Sequence, residues 1–259
     1  MKIPLYQIDA FTNHVFSGNP AAVCPLEKWI EDEMLQKIAA ENNLSETAFF
    51  VKKGNDFDLR WFTPTIEVDL CGHATLATAY VIFNYIKSDL KKIDFHTQSG
   101  ILKVKKENEL ISMDFPARIP KPIECPTQLS KGLGATPRET LKSRDYYAVY
   151  DNQDQILSIK PDFLILEKLD TLGICITAQG NNADFVSRFF APRAGILEDP
   201  VTGSAHSSLI PYWAEKLNKK SLHAFQLSKR KGELFCQLLG DRVKIAGKAV
   251  TYAIGVINI

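Results

Sequence analysis

No apolar stretch in the 259 residues approaches the ~18 that a helix needs to cross a bilayer, so no transmembrane span is expected. Neither charge sign is in excess. Lys and Arg number 31 against 30 Asp and Glu, a net +1, and no basic run exceeds Lys229-Arg230-Lys231. Binding to nucleic acid or to an anionic membrane surface needs clustered basic groups, so neither partner is expected. Cysteine is sparse and odd in number: Cys24, Cys71, Cys125, Cys175 and Cys236, with no Cys-x-x-Cys. That pattern suits reduced thiols in the cytoplasm, mostly buried as small apolar groups. Asp9 interrupts Met1 to Thr12 where a signal peptide requires an unbroken apolar core. No Gly-rich turn ends in Gly-Lys-Ser/Thr and no Gly-x-Ser-x-Gly occurs, which disfavours a nucleotide loop and a serine-hydrolase elbow.

A duplication is present instead. Phe62-Thr63-Pro64 leads to Gly72-His73-Ala74-Thr75 and an apolar helical pattern. Phe190-Ala191-Pro192 leads to Gly203-Ser204-Ala205-His206 and another. Each unit then runs into a strand pair. The first is Gln98 to Val104 and Leu110 to Asp114 around Glu107-Asn108; the second is Lys231 to Cys236 and Arg242 to Ile245 around Gly240-Asp241. A repeat of this size implies two similar domains. It also implies two helix N-termini, whose unpaired N–H groups and partial positive charge attract anions. The expectation is that both face one cleft holding a small carboxylate or phosphate.

Hydrophobic content of 45% and charge of 24% are those of an ordinary globular chain with core enough to fold unaided. Lys2 to Asp9 reads as a strand, as do Thr47 to Lys52 and Phe57 to Phe62. Glu27 to Asn42 reads as an amphipathic helix. Ala74 to Tyr85 is apolar nearly all round and so predicts a helix buried inside its domain; Ala205 to Leu217 is its counterpart. Pro211 either kinks that helix or marks an irregular start. Pro116, Pro120, Pro122 and Pro126 cluster at the break, giving domains of residues 1–117 and 118–259. Beyond it the pattern predicts helices near Leu129 to Leu133 and Pro137 to Lys142, and strands at Tyr146 to Tyr150, Ile156 to Ile159 and Ile174 to Ala178. The class is α+β, repeated.

Three places carry candidate chemistry. Glu46 is a lone acid between Leu44 and Ala48-Phe49-Phe50. Apolar surroundings would raise its pKa toward the range useful for proton transfer; a solvated acid at a strand start is the plainer alternative. His73, in Cys71-Gly72-His73, is either a proton shuttle or a histidine capped at a helix start. Cys-x-His is not a zinc spacing and no second ligand pair appears, so no metal is expected. Asp199 and Thr202-Gly203-Ser204 open the second helix, where they form either an anion nest or a helix cap.

With Gly18-Asn19-Pro20-Ala21-Ala22-Val23, Asn43-Leu44-Ser45-Glu46-Thr47, Phe62-Thr63-Pro64, Cys71-Gly72-His73-Ala74-Thr75-Leu76 and Glu198-Asp199-Pro200-Val201-Thr202-Gly203-Ser204-Ala205, the chain closely resembles the PhzF (phenazine biosynthesis-like) family. The motifs run in order along nearly its whole length. The resemblance implies the diaminopimelate-epimerase fold: two pseudo-symmetric domains, each a β-barrel-like sheet around a central helix, with the active site between them. It implies cofactor-free proton transfer, as in the isomerisation of trans-2,3-dihydro-3-hydroxyanthranilate. Carried over by position, Glu46, His73 and Asp199 are the catalytic residues. Asn19, Gly72, Gly203 and Ser204 bind substrate, and the protein is a homodimer. One departure matters. The related epimerases carry Cys at both helix starts, whereas here Thr202 stands at the second place, which weakens a two-thiol mechanism.

The sequence thus points to a cofactor-independent isomerase of a small carboxylate-bearing substrate. Its rivals are an amino-acid epimerase or racemase using Glu46 and Cys71, and a metabolite-binding module without turnover.

Overall fold

The computed structural model describes residues 1–259. The chain forms two compact units, Met1–Phe115 with Ile245–Ile259, and Pro116–Lys244. The break falls in the proline cluster. The division read from sequence differs at the other end, because residues 245–259 return to the first unit.

The first unit holds strands β1 (Lys2–Ala10) and β2 (Asn19–Leu26), helix α1 (Asp32–Asn42), then β3 (Glu46–Lys53), β4 (Asp56–Phe62) and the short β5 (Glu67–Val68). Helix α2 (Gly72–Val81) follows, then β6 (Lys92–Thr97), β7 (Gly100–Glu107) and β8 (Leu110–Pro116). A C-terminal strand, Ala249–Asn258, pairs antiparallel with β1 over its full length. β1 pairs antiparallel with β2, and β2 runs parallel to β3. Thr47, Ala48, Phe49 and Phe50 are all buried, so β3 is covered on both faces. Leu35, Ile38 and Ala39 of α1 pack with Phe49 and Phe62 in one core cluster. α2 is buried almost all round, as its composition requires, and its Thr75 and Thr78 hydroxyls donate back to the Cys71 and Ala74 carbonyls. Beyond Val81 it widens into a π-helical turn over Ile82–Ile86.

The second unit holds β9 (Lys121–Pro122), α3 (Thr127–Leu133), β10 (Glu139–Lys142), β11 (Tyr146–Val149), and short helices α4 (Gln153–Ser158) and α5 (Phe163–Leu166). β12 (Ile174–Gln179), β13 (Phe185–Ala191) and β14 (Ile196–Asp199) lead to helix α6 (Gly203–Leu217). β15 (Ser221–Gln226) and β16 (Gly232–Leu239) follow, and β17 (Arg242–Gly247) carries the chain back to the first unit. The duplication is now visible strand by strand. β11 is parallel to β12 as β2 is to β3, and β12 is antiparallel to β13 as β3 is to β4. Along the edge that β12 leaves open, β13 takes the parallel β15 at its start and the short β14 at its end, as β4 takes β6 and β5. The buried helix enters at the same point of both series.

Two local expectations are corrected. Pro137 to Lys142 is not a helix: residues from Glu139 pair with β11, burying Thr140 and Leu141, and the ladder prevails over the local pattern. Ile156 to Ile159 is not a strand, because the Asn152 side chain accepts from the Gln155 amide at 3.0 Å and starts α4 just upstream. Pro211 neither breaks α6 nor starts it. Its missing N–H leaves the Ser207 carbonyl without its helical donor, and the Arg118 amide fills the vacancy at 2.9 Å. All five cysteines are unpaired and four of them are buried. No helix is long and apolar enough to cross a membrane.

Candidate active site

In the first unit, three separate elements converge on one imidazole. Gly18, at φ +66°, makes the turn into β2; a Cβ there would meet the Ala10 carbonyl oxygen at 2.2 Å, so the turn requires glycine. That turn delivers Asn19, fully buried, as the first residue of β2. The parallel partner β3 begins at Glu46, opposite Ala21. Cys71, in extended conformation, is the N-cap of α2, with Gly72 and His73 in its first turn.

His73 sits among these groups. Its Nε2 is 3.0 Å from Glu46 Oε2, and neither atom has another polar partner. The approach is an ion-pair contact rather than a well-aligned hydrogen bond. On the other side of the ring, Nδ1 lies 3.2 Å from Asn19 Nδ2 and 3.5 Å from Cys71 Sγ. Burial opposes charging of this imidazole, but Cys71 and Glu46 outweigh it and hold its pKa well above the usual histidine value. Burial also pushes the Cys71 thiol up, and the Glu46 charge adds to that; His73 and the Ala74 amide pull it back only in part. The cluster is a buried imidazolium–carboxylate pair with a thiol and an amide behind it, and α2's first-turn amides beside it.

The second unit builds a different arrangement around α6. β14 ends at Asp199, whose carboxylate accepts from the Thr202 hydroxyl at 2.5 Å. Thr202 is the N-cap by position but its side chain does not cap the helix. Gln226, fully buried on β15, braces the turn. It accepts from the Thr202 amide at 2.8 Å, and its amide nitrogen donates to the Asp199 carbonyl at 2.8 Å and to Thr202 Oγ1 at 3.2 Å. Val201 is pinned against Gly232, where a Cβ would meet Val201 Cγ2 at 2.2 Å. Ser204 accepts from Arg144 Nη2 at 2.9 Å, and the same guanidinium is held by the buried Asp145. One turn on, His206 is fully buried: its Nδ1 bonds the Thr202 carbonyl at 2.8 Å and its ring lies against Phe185. Burial depresses its pKa to about 4.

Of the residues singled out in the sequence, Asn19, Glu46, Gly72 and His73 come together in the first unit, and Asp199, Gly203 and Ser204 in the second. Arg144 and Gln226 were not anticipated. Arg144 comes from a stretch without a recognisable motif, and Gln226 stands in a strand whose pattern signals only burial. Cys71, doubtful as a thiol catalyst, nonetheless lies in contact with His73.

The sequence pattern of the family described as phenazine biosynthesis-like protein matches residues 8–255. An uncharacterised isomerase of Pseudomonas aeruginosa is 50% identical over 259 residues, covering all of both chains. The crystal structure of a PhzF-family phenazine biosynthesis protein from Enterococcus faecalis is 47% identical, superposes with a TM-score of 0.98 and covers both chains completely. A predicted epimerase of Pseudomonas aeruginosa, 17% identical, shares the fold with a TM-score of 0.76 over 98% of this chain and 99% of its own.

Proposed function

The chain belongs to the phenazine biosynthesis-like family, and from that premise we propose that it is a cofactor-independent isomerase that moves a proton on a small carboxylate-bearing substrate. The observation that carries the reading is the buried contact of 3.0 Å between Glu46 and His73. The naming of a 50% identical relative as an isomerase supports it.

Glu46 takes the proton from substrate carbon and returns it to another. His73 begins as the imidazolium. It donates toward the charge that develops as the carbon proton leaves. The Asn19 amide, its oxygen turned to accept, and the Cys71 sulfur flank the opposite nitrogen. The first-turn amides at Gly72 and at Gly203-Ser204 hold substrate oxygens, and Asp199 positions or relays a proton. The reading includes a homodimer in the cytoplasm, for which sedimentation should give twice the chain mass.

A second reading has one observation behind it, the 3.5 Å contact of Cys71 Sγ with His73 Nδ1. It makes the protein an amino-acid epimerase in which Cys71 and Glu46 are opposed bases. The raised thiol pKa disfavours it, because the thiolate is the reactive form.

The deciding experiment incubates the protein with a panel of amino and hydroxy carboxylates, including trans-2,3-dihydro-3-hydroxyanthranilate, in D₂O under NMR. Deuterium uptake at carbon with a change of connectivity supports the isomerase. Uptake with only inversion at one centre transfers the case to the epimerase. Binding without any exchange across the panel would leave a metabolite-binding module and overturn both.

A further inference from the structure

Glu46, Cys71 and His73 come from two separate elements, yet their ligand atoms lie within 4.8 Å of one another. We propose that these three side chains form a binding site for a thiophilic divalent cation, represented by Zn²⁺. The sequence argued against a metal because Cys-x-His is not a zinc spacing and no second ligand pair appears. The third ligand is supplied by the start of β3, which a spacing rule cannot see.

Two of the three ligand atoms already have the spacing of a real site. With Zn–S near 2.3 Å and Zn–N near 2.0–2.1 Å, a tetrahedral angle sets sulfur and nitrogen about 3.6 Å apart. Cys71 Sγ and His73 Nδ1 are 3.5 Å apart. The same construction puts a carboxylate oxygen about 3.4–3.6 Å from each of them. Glu46 now stands 3.0 Å from Nε2 of the same ring, and its side chain must rotate toward the Nδ1 edge to complete the set. Three protein ligands leave a fourth position for water or a ligand anion, the arrangement of open zinc sites. Charge balances as well: thiolate and carboxylate together neutralise a dication, so the buried site acquires no net charge. As the Zn–S and Zn–N bonds form, the thiol proton and the Nδ1 proton of the imidazolium leave to solvent. Asn19, now 3.2 Å from Nδ1, must release that contact.

The ligand set discriminates among cations. A soft thiolate with imidazole selects zinc-like ions over Mg²⁺ or Ca²⁺, which prefer all-oxygen sites. A bound cation would occupy the Glu46 carboxylate and one His73 nitrogen. On the reading that these two groups move the substrate proton, cation and reaction exclude each other. The binding itself does not depend on that reading.

The test uses the whole chain, purified and freed of metal with a chelator, and ZnCl₂ alone as probe. Calorimetric titration should give one site per chain. Cys71→Ser should weaken that binding by at least about tenfold, with Glu46→Gln lowering it in the same direction. Cys125→Ser, at the least buried cysteine, should leave it unchanged. Substituting Co²⁺ in the wild-type chain should produce a thiolate-to-metal charge-transfer band, which answers the question even if Cys71→Ser misfolds. Absence of stoichiometric Zn²⁺ binding, a Co²⁺ spectrum without the thiolate band, or unaltered affinity in a folded Cys71→Ser chain would each overturn the proposal.

Discussion

Lowering the pH should destabilise the protein through His206 in particular. This imidazole is fully buried in α6, donates to the Thr202 carbonyl and packs on Phe185; burial holds its pKa at about 4. An unfolded chain would protonate it near 6.5. Above that value both states are neutral and the residue contributes no pH dependence. Between 6.5 and about 4 the unfolded chain binds a proton that the folded chain refuses, so stability falls with falling pH. Below about 4 the folded state protonates too and the loss levels off. The gap corresponds to about 3 kcal/mol at about 1.4 kcal/mol per pH unit. Guanidinium unfolding at several pH values between about 7.5 and 4.5 measures it, with His206→Gln as comparison. Glutamine can still donate to Thr202 but does not titrate. The wild-type curve should fall faster toward acid than that of the variant, and the difference should approach the stated figure. If the two curves run parallel, the buried neutral imidazole is not the acid-sensitive group and the reasoning is wrong.

His73 should act with the opposite sign. Its pKa is raised in the fold, so its stabilisation is complete below the unfolded value and lost as pH rises through the folded one; His73→Gln should flatten the alkaline side of the stability profile. Glu46→Gln should cut carbon-proton exchange by about 10²–10⁴ with little change in melting temperature. Cys71→Ser should be far milder; if it is the inactive variant and Glu46→Gln remains active, the chemistry is thiol-based. Gln226→Leu strands the Thr202 amide and the Asp199 carbonyl, which should cost about 2–4 kcal/mol, read as a lower midpoint in thermal unfolding.

The sequence carried what depends on periodicity and repetition. The all-round apolar pattern after Gly72 and after Gly203 fixed two buried helices, and the repeated Phe-x-Pro placed them in equivalent halves. What it could not carry was contact across the chain. Pro211 was ambiguous because its answer lies in the Arg118 amide, far back in sequence. The stretch from Pro137 to Lys142 followed its helical pattern on paper and a strand partner in the fold. At the candidate site, Glu46 and His73 could each be named but not joined, since only the parallel pairing of β2 with β3 brings Asn19 and Glu46 up to the start of α2. The brace of Gln226 and the reach of Arg144 to Ser204 left no local signature, being hydrogen bonds between side chains that sequence distance hides.

The C-terminal strand governs the order in which the chain can mature. Residues 249–258 pair with residues 2–10 along the whole length of β1, so the first unit has a ladder that closes only after residue 258 has been synthesised. The second unit, Pro116–Lys244, is one continuous stretch. Domains ordinarily mature from the N-terminus onward as the ribosome delivers them. In this chain the later-made unit can finish first, while β1 waits with one edge open through almost the entire period of translation. An open strand edge is where misplaced pairing begins. Truncation at the C-terminus should therefore damage solubility through a strand made at the very start.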